Sequence, residues 1–221
     1  MEIRKIDKGV NEIITGAQYL GQGASKEGYL KGDTVYKIPR GRYIIEDEEI
    51  VLGFPDTMEE VDQFLFDVYD LSRNMVWPLG QFAIELIVWE AIQQLRREGL
   101  EINCFAEIKD YYYDKNGVIV IEQEATNTDY IYDDEAVEEA IDNMRDEIDM
   151  LKPILEERFN IQLRDIRSGN YGITTDGRAK LFDFGISTTT QLDNYGSYSC
   201  PSSSWDEDCE RYEDYNSYEE I

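Results

Sequence analysis

Between Leu163 and Gly185 the chain reads LRDIRSGNYGITTDGRAKLFDFG, and no other stretch narrows the possible folds as far. The segment ITTDGRAKLF spells a short hairpin around a Thr-Asp-Gly-Arg turn. A loop with Asp165 and Asn170 separated by four intervening residues precedes it, and an Asp-Phe-Gly turn opening at Asp183 follows it. Asp and Asn are ordinary turn residues taken singly. Together at this spacing they mark a site.

Composition removes several classes of chemistry. At 221 residues the chain can form one substantial domain or two small lobes sharing a cleft. Its 48 acidic and 21 basic side chains leave a net charge of -27, which argues against direct nucleic-acid binding because phosphate backbones attract Lys and Arg. The acidity reads as a well-hydrated surface before it reads as mimicry of a nucleic acid. Histidine is absent, so Ser-His and Cys-His catalysis drop out and any chemistry rests on carboxylates, Lys, Arg or a metal. Cys104, Cys200 and Cys209 have no CxxC spacing and, without His, cannot build the usual zinc sets. The N-terminal MEIRKIDKGVNEIITG lacks the apolar core of a secretory signal, and the longest apolar stretch, Phe82–Trp89, is too short for a bilayer and contains Glu85. A cytoplasmic chain with reduced cysteines and no membrane contact is the expectation.

Along the chain, QYLGQGASKEGYLKGDTVYKIP (18–39) places glycines between β-prone runs, predicting strands joined by Gly-rich turns with Lys37 in the strand TVYKI. Residues 41–79 read as an insert: strand-like RYII, acidic EDEE, and a helix from Thr57 to about Leu71. From Gln81 to Arg97, apolar residues at 82, 86, 89, 92 and 95 predict an amphipathic helix ended by Gly99. NCFAEIKDYYYDKNGVIVIEQEA predicts two antiparallel strands around Asp-Lys-Asn-Gly. Residues 134–159 carry Val137, Ile141, Met144, Ile148, Leu151 and Leu155 on one side, a long helix. It leads into IQLRDIRSGNYGI, read as strand, loop and strand, and residues 193–221 read as an acidic, disordered tail. The order of elements indicates an α+β fold.

The Asp-x4-Asn loop, hairpin and Asp-Phe-Gly turn resemble those of protein kinases. The resemblance implies a two-lobed protein-kinase-like fold with an N-terminal lobe over 1–125 and a minimal, truncated C-terminal lobe over 126–192, since no Ala-Pro-Glu segment is legible beyond Gly185. It implies ATP and Mg²⁺ (or Mn²⁺) as cofactors. Asp165 would receive or orient the attacking hydroxyl, and Asn170 and Asp183 would offer the hard oxygen ligands that Mg²⁺ prefers. Arg167 falls where kinases often carry a cation near the transferring phosphate, with a surface charge the equal alternative. Gly21 and Gly23 match the start of the phosphate loop, where missing Cβ atoms let backbone N–H groups approach phosphates. Lys37 in VYKI resembles the strand lysine that binds the α- and β-phosphates, with Glu85 as its helical partner and Glu90 the second choice. VIVIEQEA resembles the strand entering the hinge, with Ile121 as gatekeeper and the backbone of Glu122 to Glu124 facing adenine.

Three positions depart from the family: Leu163 stands for the His of His-Arg-Asp, Lys26 for the third loop glycine, and Gly28 for the valine that packs on adenine. With its short end, the chain looks most like the minimal or atypical kinases of bacteriophages and bacteria. The expected function is an ATP-dependent kinase acting on a protein hydroxyl or on itself, with Tyr195, Ser199 and Ser202 as candidate acceptors. The alternatives are a pseudokinase, an acidic protein that occupies a basic host protein, and a small-molecule phosphotransferase or nucleotidyl transferase.

Overall fold

The computed structural model describes residues 3–23, 25–39, 55–61, 73–129 and 134–185, and within 73–78 only the backbone. The strand read at 42–45, the acidic run after it, most of the helix read from Thr57, Cys200, Cys209 and the tail at 193–221 lie outside the described residues. The described chain is a mixed helix and sheet structure, as the order of elements indicates.

The sheet forms where period-two patterning meets tight turns. Strands β1 (Gln18–Gln22), β2 (Lys26–Lys31) and β3 (Thr34–Pro39) form a meander, with Gly32 at φ 64 in the turn before β3. Strands β4 (Ile108–Tyr113) and β5 (Ile119–Glu124) form a second hairpin, and the sheet order is β1-β2-β3-β5-β4, antiparallel throughout. Asp114 fixes that hairpin's turn: its buried carboxylate accepts from the backbone N–H of Asn116 and Val118 at 2.8 Å each, while Gly117 takes φ 81. The same carboxylate accepts from the N–H of Val10, tying the short helix α1 (Val10–Ile13) to the sheet.

Cross-strand partners share a face of a sheet, and the register divides the residues cleanly. Lys26, Gly28 and Leu30 of β2 stand with Val35 and Lys37 of β3 and Ile121 of β5 on one face. Tyr29, Tyr36, Ile38, Tyr112 and Val120 pack on the other, beneath Val10 and Ile13 of α1.

Helix α2 (Arg73–Arg97) lies against the first face. It begins before the Gln81 start read from the sequence, so the last residues of the 41–79 insert belong to it. Pro78 and Gly80 obscure that start, since both disfavour a helix interior. Nor is the helix amphipathic over 79–89: Leu79, Phe82, Ala83, Ile84, Leu86, Ile87, Val88 and Trp89 are all buried, as in a helix wrapped by neighbours. Met58 and Val61, on a short 3₁₀ turn (Met58–Glu60) and just after it, belong to the same cluster.

Helix α3 (Glu135–Phe159) is amphipathic as read, with Ile141, Met144, Ile148, Leu151 and Leu155 buried. Asp134 caps it, accepting from the N–H of Ala136 at 3.0 Å, and Asn160 ends it in the left-handed region at φ 54. It packs on a hairpin of β6 (Tyr171–Ile173) and β7 (Ala179–Leu181). No strand forms before the 165–170 loop among the described elements; a 3₁₀ turn at Ser168–Asn170 leads into β6. A single apolar core joins α2, α3, the inner faces of β4 and β5, and Tyr171, Leu181 and Phe184. Each fully buried large apolar side chain contributes about 1.5–3 kcal/mol. No described helix is long and apolar enough to cross a membrane.

The ends of α2 and α3 are clamped. Gly99 stops α2 at φ 97, and Arg158 near the end of α3 grips Glu98 with two hydrogen bonds of 2.6 and 2.8 Å. Those bonds, with a further one from Gln94, hold the Glu98 carboxyl at about 2, down from 4.5. A carboxyl whose folded pKa is depressed contributes stability above its unfolded pKa and loses it as pH falls through the folded value. Wild type should therefore exceed Glu98→Gln in melting temperature above about pH 4.5, and the two should converge as pH falls toward 2. Melting curves at matched salt across that range check it; a gap that persists unchanged at pH 2 contradicts the assignment.

Candidate functional site

The inner face of β1–β3, the start of α2 and the loops flanking the β6–β7 hairpin enclose an open cleft of about 1710 Å³. The sequence puts polar groups here for a structural reason. The face bearing Lys26 and Lys37 is apolar farther along the sheet, and Glu85 enters from a helix otherwise lined with aliphatic residues.

At its inner end lies a cluster of four charges. Lys37 Nζ is 2.5 Å from Glu85 Oε1, while Lys26 Nζ contacts Glu85 Oε2 and lies 2.7 Å from Asp183 Oδ1. Both lysine side chains are 7% exposed, Glu85 is 0% exposed and Asp183 is 32% exposed. Lys37 also donates to the carbonyl of Phe182. Glu90, the second choice as lysine partner, instead accepts from the Tyr111 hydroxyl at 2.9 Å.

The four charges perturb one another. Burial pushes Lys37 below its usual range, with the neighbouring Lys26 adding to the effect and Glu85 opposing it. Burial also works against the charge on Lys26, but Asp183 and Glu85 outweigh it and raise this lysine. Asp183 is desolvated too, yet Lys26 and Lys37 hold its carboxyl well below the ordinary carboxylate range. The Lys26 and Asp183 shifts follow from pairing in a weakly screened interior, and the Lys37 shift from desolvation that its pairing does not offset.

One residue joins the two loops. The Asn170 side-chain Nδ2 donates to the Asp165 backbone carbonyl and to Asp165 Oδ2, both at 2.7 Å. The Asn170 backbone carbonyl in turn accepts from the N–H of Phe182 at 2.8 Å and of Asp183 at 3.2 Å. Asp165 has φ 57, a left-handed conformation that costs a non-glycine residue about 1–2 kcal/mol and is most readily adopted by Asp and Asn. Such an outlier, held by surrounding bonds, is typical of a working loop. Arg167 Nε pairs with Asp165 Oδ1 at 2.9 Å, but its side chain is 70% exposed.

With Nδ2 engaged, the amide oxygen of Asn170 and the carboxylate of Asp183 are the hard donors this end of the cleft offers a cation. No group of three or more His, Cys, Asp or Glu suited to a metal occurs among the described residues. Two protein oxygens fit a divalent cation of the Mg²⁺ kind, which commonly completes its shell with substrate phosphates and water.

The outer end suits a flat apolar group. Leu20, Leu30, Val35 and Ile173 line it, and Gly28 leaves room there: a Cβ at Gly28 would make ordinary contact with Leu20 at 3.8 Å and Val35 at 4.0 Å. Gly21, at φ 141, and Gly23, whose N–H donates to the Lys26 carbonyl at 2.8 Å, shape the loop above it. Ile121 is buried beside Lys37, its partner across the ladder.

The hinge-strand residues fall differently. Strand parity turns Glu122 to the opposite face, where its Oε1 accepts from the Tyr112 hydroxyl at 2.6 Å, and it does not line the cleft. Glu124 lines it, but its backbone N–H donates to Glu107 and its carboxylate pairs with buried Lys180 at 2.6 Å.

Lys37, Asn170 and Asp183 therefore line one cleft with Asp165, Arg167, Gly21, Gly23 and Glu124, and Glu85 sits behind it in contact with both lysines, while the Glu122 side chain points elsewhere. Sequence reasoning missed Lys26 as a site residue, treating it only as a departure from a glycine. Two-residue alternation from Gly28, which pairs with Lys37, carried the signal. It also missed Gln81, whose Oε1 accepts from Ser25 and whose backbone carbonyl lies 2.6 Å from where a Cβ on Gly185 would sit. No family model matches the chain, nor does any curated protein, and the reading of the site rests on its geometry.

Proposed function

We propose that the chain is an ATP-dependent phosphotransferase of protein-kinase-like, two-lobed design, acting on a protein hydroxyl or on itself in the cytoplasm. The observation that carries the reading is the joining of the buried Lys37–Glu85 pair to Asp183 through Lys26, with Asn170 linking the Asp183 backbone to Asp165. Phosphoryl transfer needs positioning and charge stabilisation more than covalent chemistry, and these residues supply both. Lys37 is a fixed positive charge for the α- and β-phosphates, and Gly21 and Gly23, which carry no Cβ, let the polyphosphate come close to the backbone. Asn170 and Asp183 hold Mg²⁺ or Mn²⁺, which when bound neutralises phosphate charge. Asp165 orients the acceptor hydroxyl and receives its proton, and the apolar outer end takes the base.

Intact mass after incubation with ATP and Mg²⁺ tests the proposal. A phosphoryl increment on the chain or on an added protein acceptor, absent from Asp183→Ala, is the expected result. An adenylyl increment assigns nucleotidyl transfer instead. Nucleotide binding with neither mass gain nor ATP hydrolysis leaves a pseudokinase and ends the enzyme reading.

A further inference from the structure

Lys26 enters the site from β2, and its position bears on how the site takes a cation. Its ammonium contacts Glu85, lies 2.7 Å from Asp183 Oδ1, and sits 5.7 Å from the centre of the Phe82 ring. Gly185 fits closely over it: a Cβ there would come within 3.0 Å of Lys26 Nζ and 2.6 Å of the Gln81 carbonyl oxygen. Lys26 and Lys37 bring two positive charges, Glu85 and Asp183 two negative ones, so the cluster is neutral before any ligand arrives.

A bare divalent cation at Asp183 would add two positive charges beside two buried ammonium groups, where charges are weakly screened. Only Asn170 adds a further hard donor, and no larger metal-binding carboxylate cluster exists among the described residues to offset the repulsion. A cation arriving with a polyphosphate brings a net negative charge. Its oxygens also give Lys26 a new partner, because Lys26 lines the same cleft as Gly21, Gly23 and Lys37.

We propose that Lys26 is the resident counter-cation of Asp183, so that the site takes Mg²⁺ or Mn²⁺ only together with a polyphosphate, to whose oxygens Lys26 transfers as the metal takes its place. The naming of that polyphosphate as a nucleotide rests on the phosphotransferase reading; the position of Lys26 does not. Metal and polyphosphate then tighten each other equally, since coupling between two ligands is reciprocal.

The test uses the full chain, with Mn²⁺ followed by water-proton relaxation enhancement, which separates protein-bound Mn²⁺ from the free ion and its small chelates. Mn²⁺ is titrated alone, with a non-hydrolysable ATP analogue, and with inorganic tripolyphosphate. In wild type, either polyphosphate should tighten Mn²⁺ by about tenfold or more, within the usual range of such couplings. Lys26→Met should bind Mn²⁺ alone about tenfold more tightly than wild type and lose most of the coupling, while Lys26→Arg keeps the wild-type pattern. Coupling with tripolyphosphate but not with the ATP analogue upholds the role of Lys26 and removes the nucleotide reading. Wild-type protein that binds Mn²⁺ as tightly alone as with either polyphosphate overturns the proposal, and this comparison needs no variant to fold.

Discussion

Glu85→Ala is expected to lower folding stability by about 3–5 kcal/mol, the usual cost of removing one partner of a buried ion pair. Glu85 is 0% exposed and contacts both lysines, so its loss leaves two desolvated ammonium groups with Asp183 as their one remaining carboxylate partner in the cluster. Asp183 reaches Lys26 only, and Lys37 keeps just the Phe182 carbonyl. The penalty is thus mainly one of uncompensated charge, which a second substitution can separate from packing. Glu85→Leu combined with Lys37→Met should recover a good part of the loss, because apolar replacement of a buried pair is often near neutral. Urea unfolding midpoints of the single and double variants provide the measurement. A loss below about 1 kcal/mol for Glu85→Ala, in the range of exposed pairs, would show that this carboxylate is not the structural counter-ion.

Asp165→Asn is expected to slow phosphoryl transfer by about 10²–10⁴-fold, the usual contribution of a positioned acid or base, with nucleotide affinity nearly unchanged. Asn is the informative substitution because it tolerates the left-handed backbone at φ 57 and so leaves the loop unstrained. Ala would add a conformational penalty to the chemical one. Asp165 also stands outside the four-charge cluster, being held by Asn170 and Arg167, so Lys37, Glu85, Lys26 and Asp183 keep their contacts. Single-turnover rates beside equilibrium nucleotide binding separate the two effects. An unchanged rate, or a loss of affinity as large as the loss of rate, removes Asp165 from the role of base.

The sheet was legible because both of its signals are local. Whereas the register that sets Lys37 beside Ile121 joins strands distant in sequence and was not legible, alternation in TVYKI and VIVIEQE and the turns at Gly32 and Gly117 lie within a few residues and set the pairing inside each hairpin. The hairpin between Asn170 and Asp183 was legible for the same reason. The N-terminal end of α2 was not, because Pro78 and Gly80 disfavour a helix interior locally and the octet 73–80 carries no clear helical signal of its own. A strand shows alternate residues to opposite faces, so the Glu122 side chain turns away from the cleft. Lys26 was legible in principle by that same alternation. Its partners were not, since Glu85 and Asp183 are joined to it across 59 and 157 residues of chain.

The shared core bears on how the molecule can come apart. Helices α2 and α3, the inner faces of β4 and β5, and Tyr171 and Phe184 beside the two site loops belong to one apolar cluster, and α1, Ile38, Tyr112, Val118 and Val120 form a second on the outer face of the sheet. Strand β1, exposed or half-exposed along its length and bonded only to β2, is the exception. Cheap local opening is concentrated in elements with few buried contacts. Fraying therefore falls first to the strand that carries Gly21, ahead of the buried carboxylate and ammonium groups behind it.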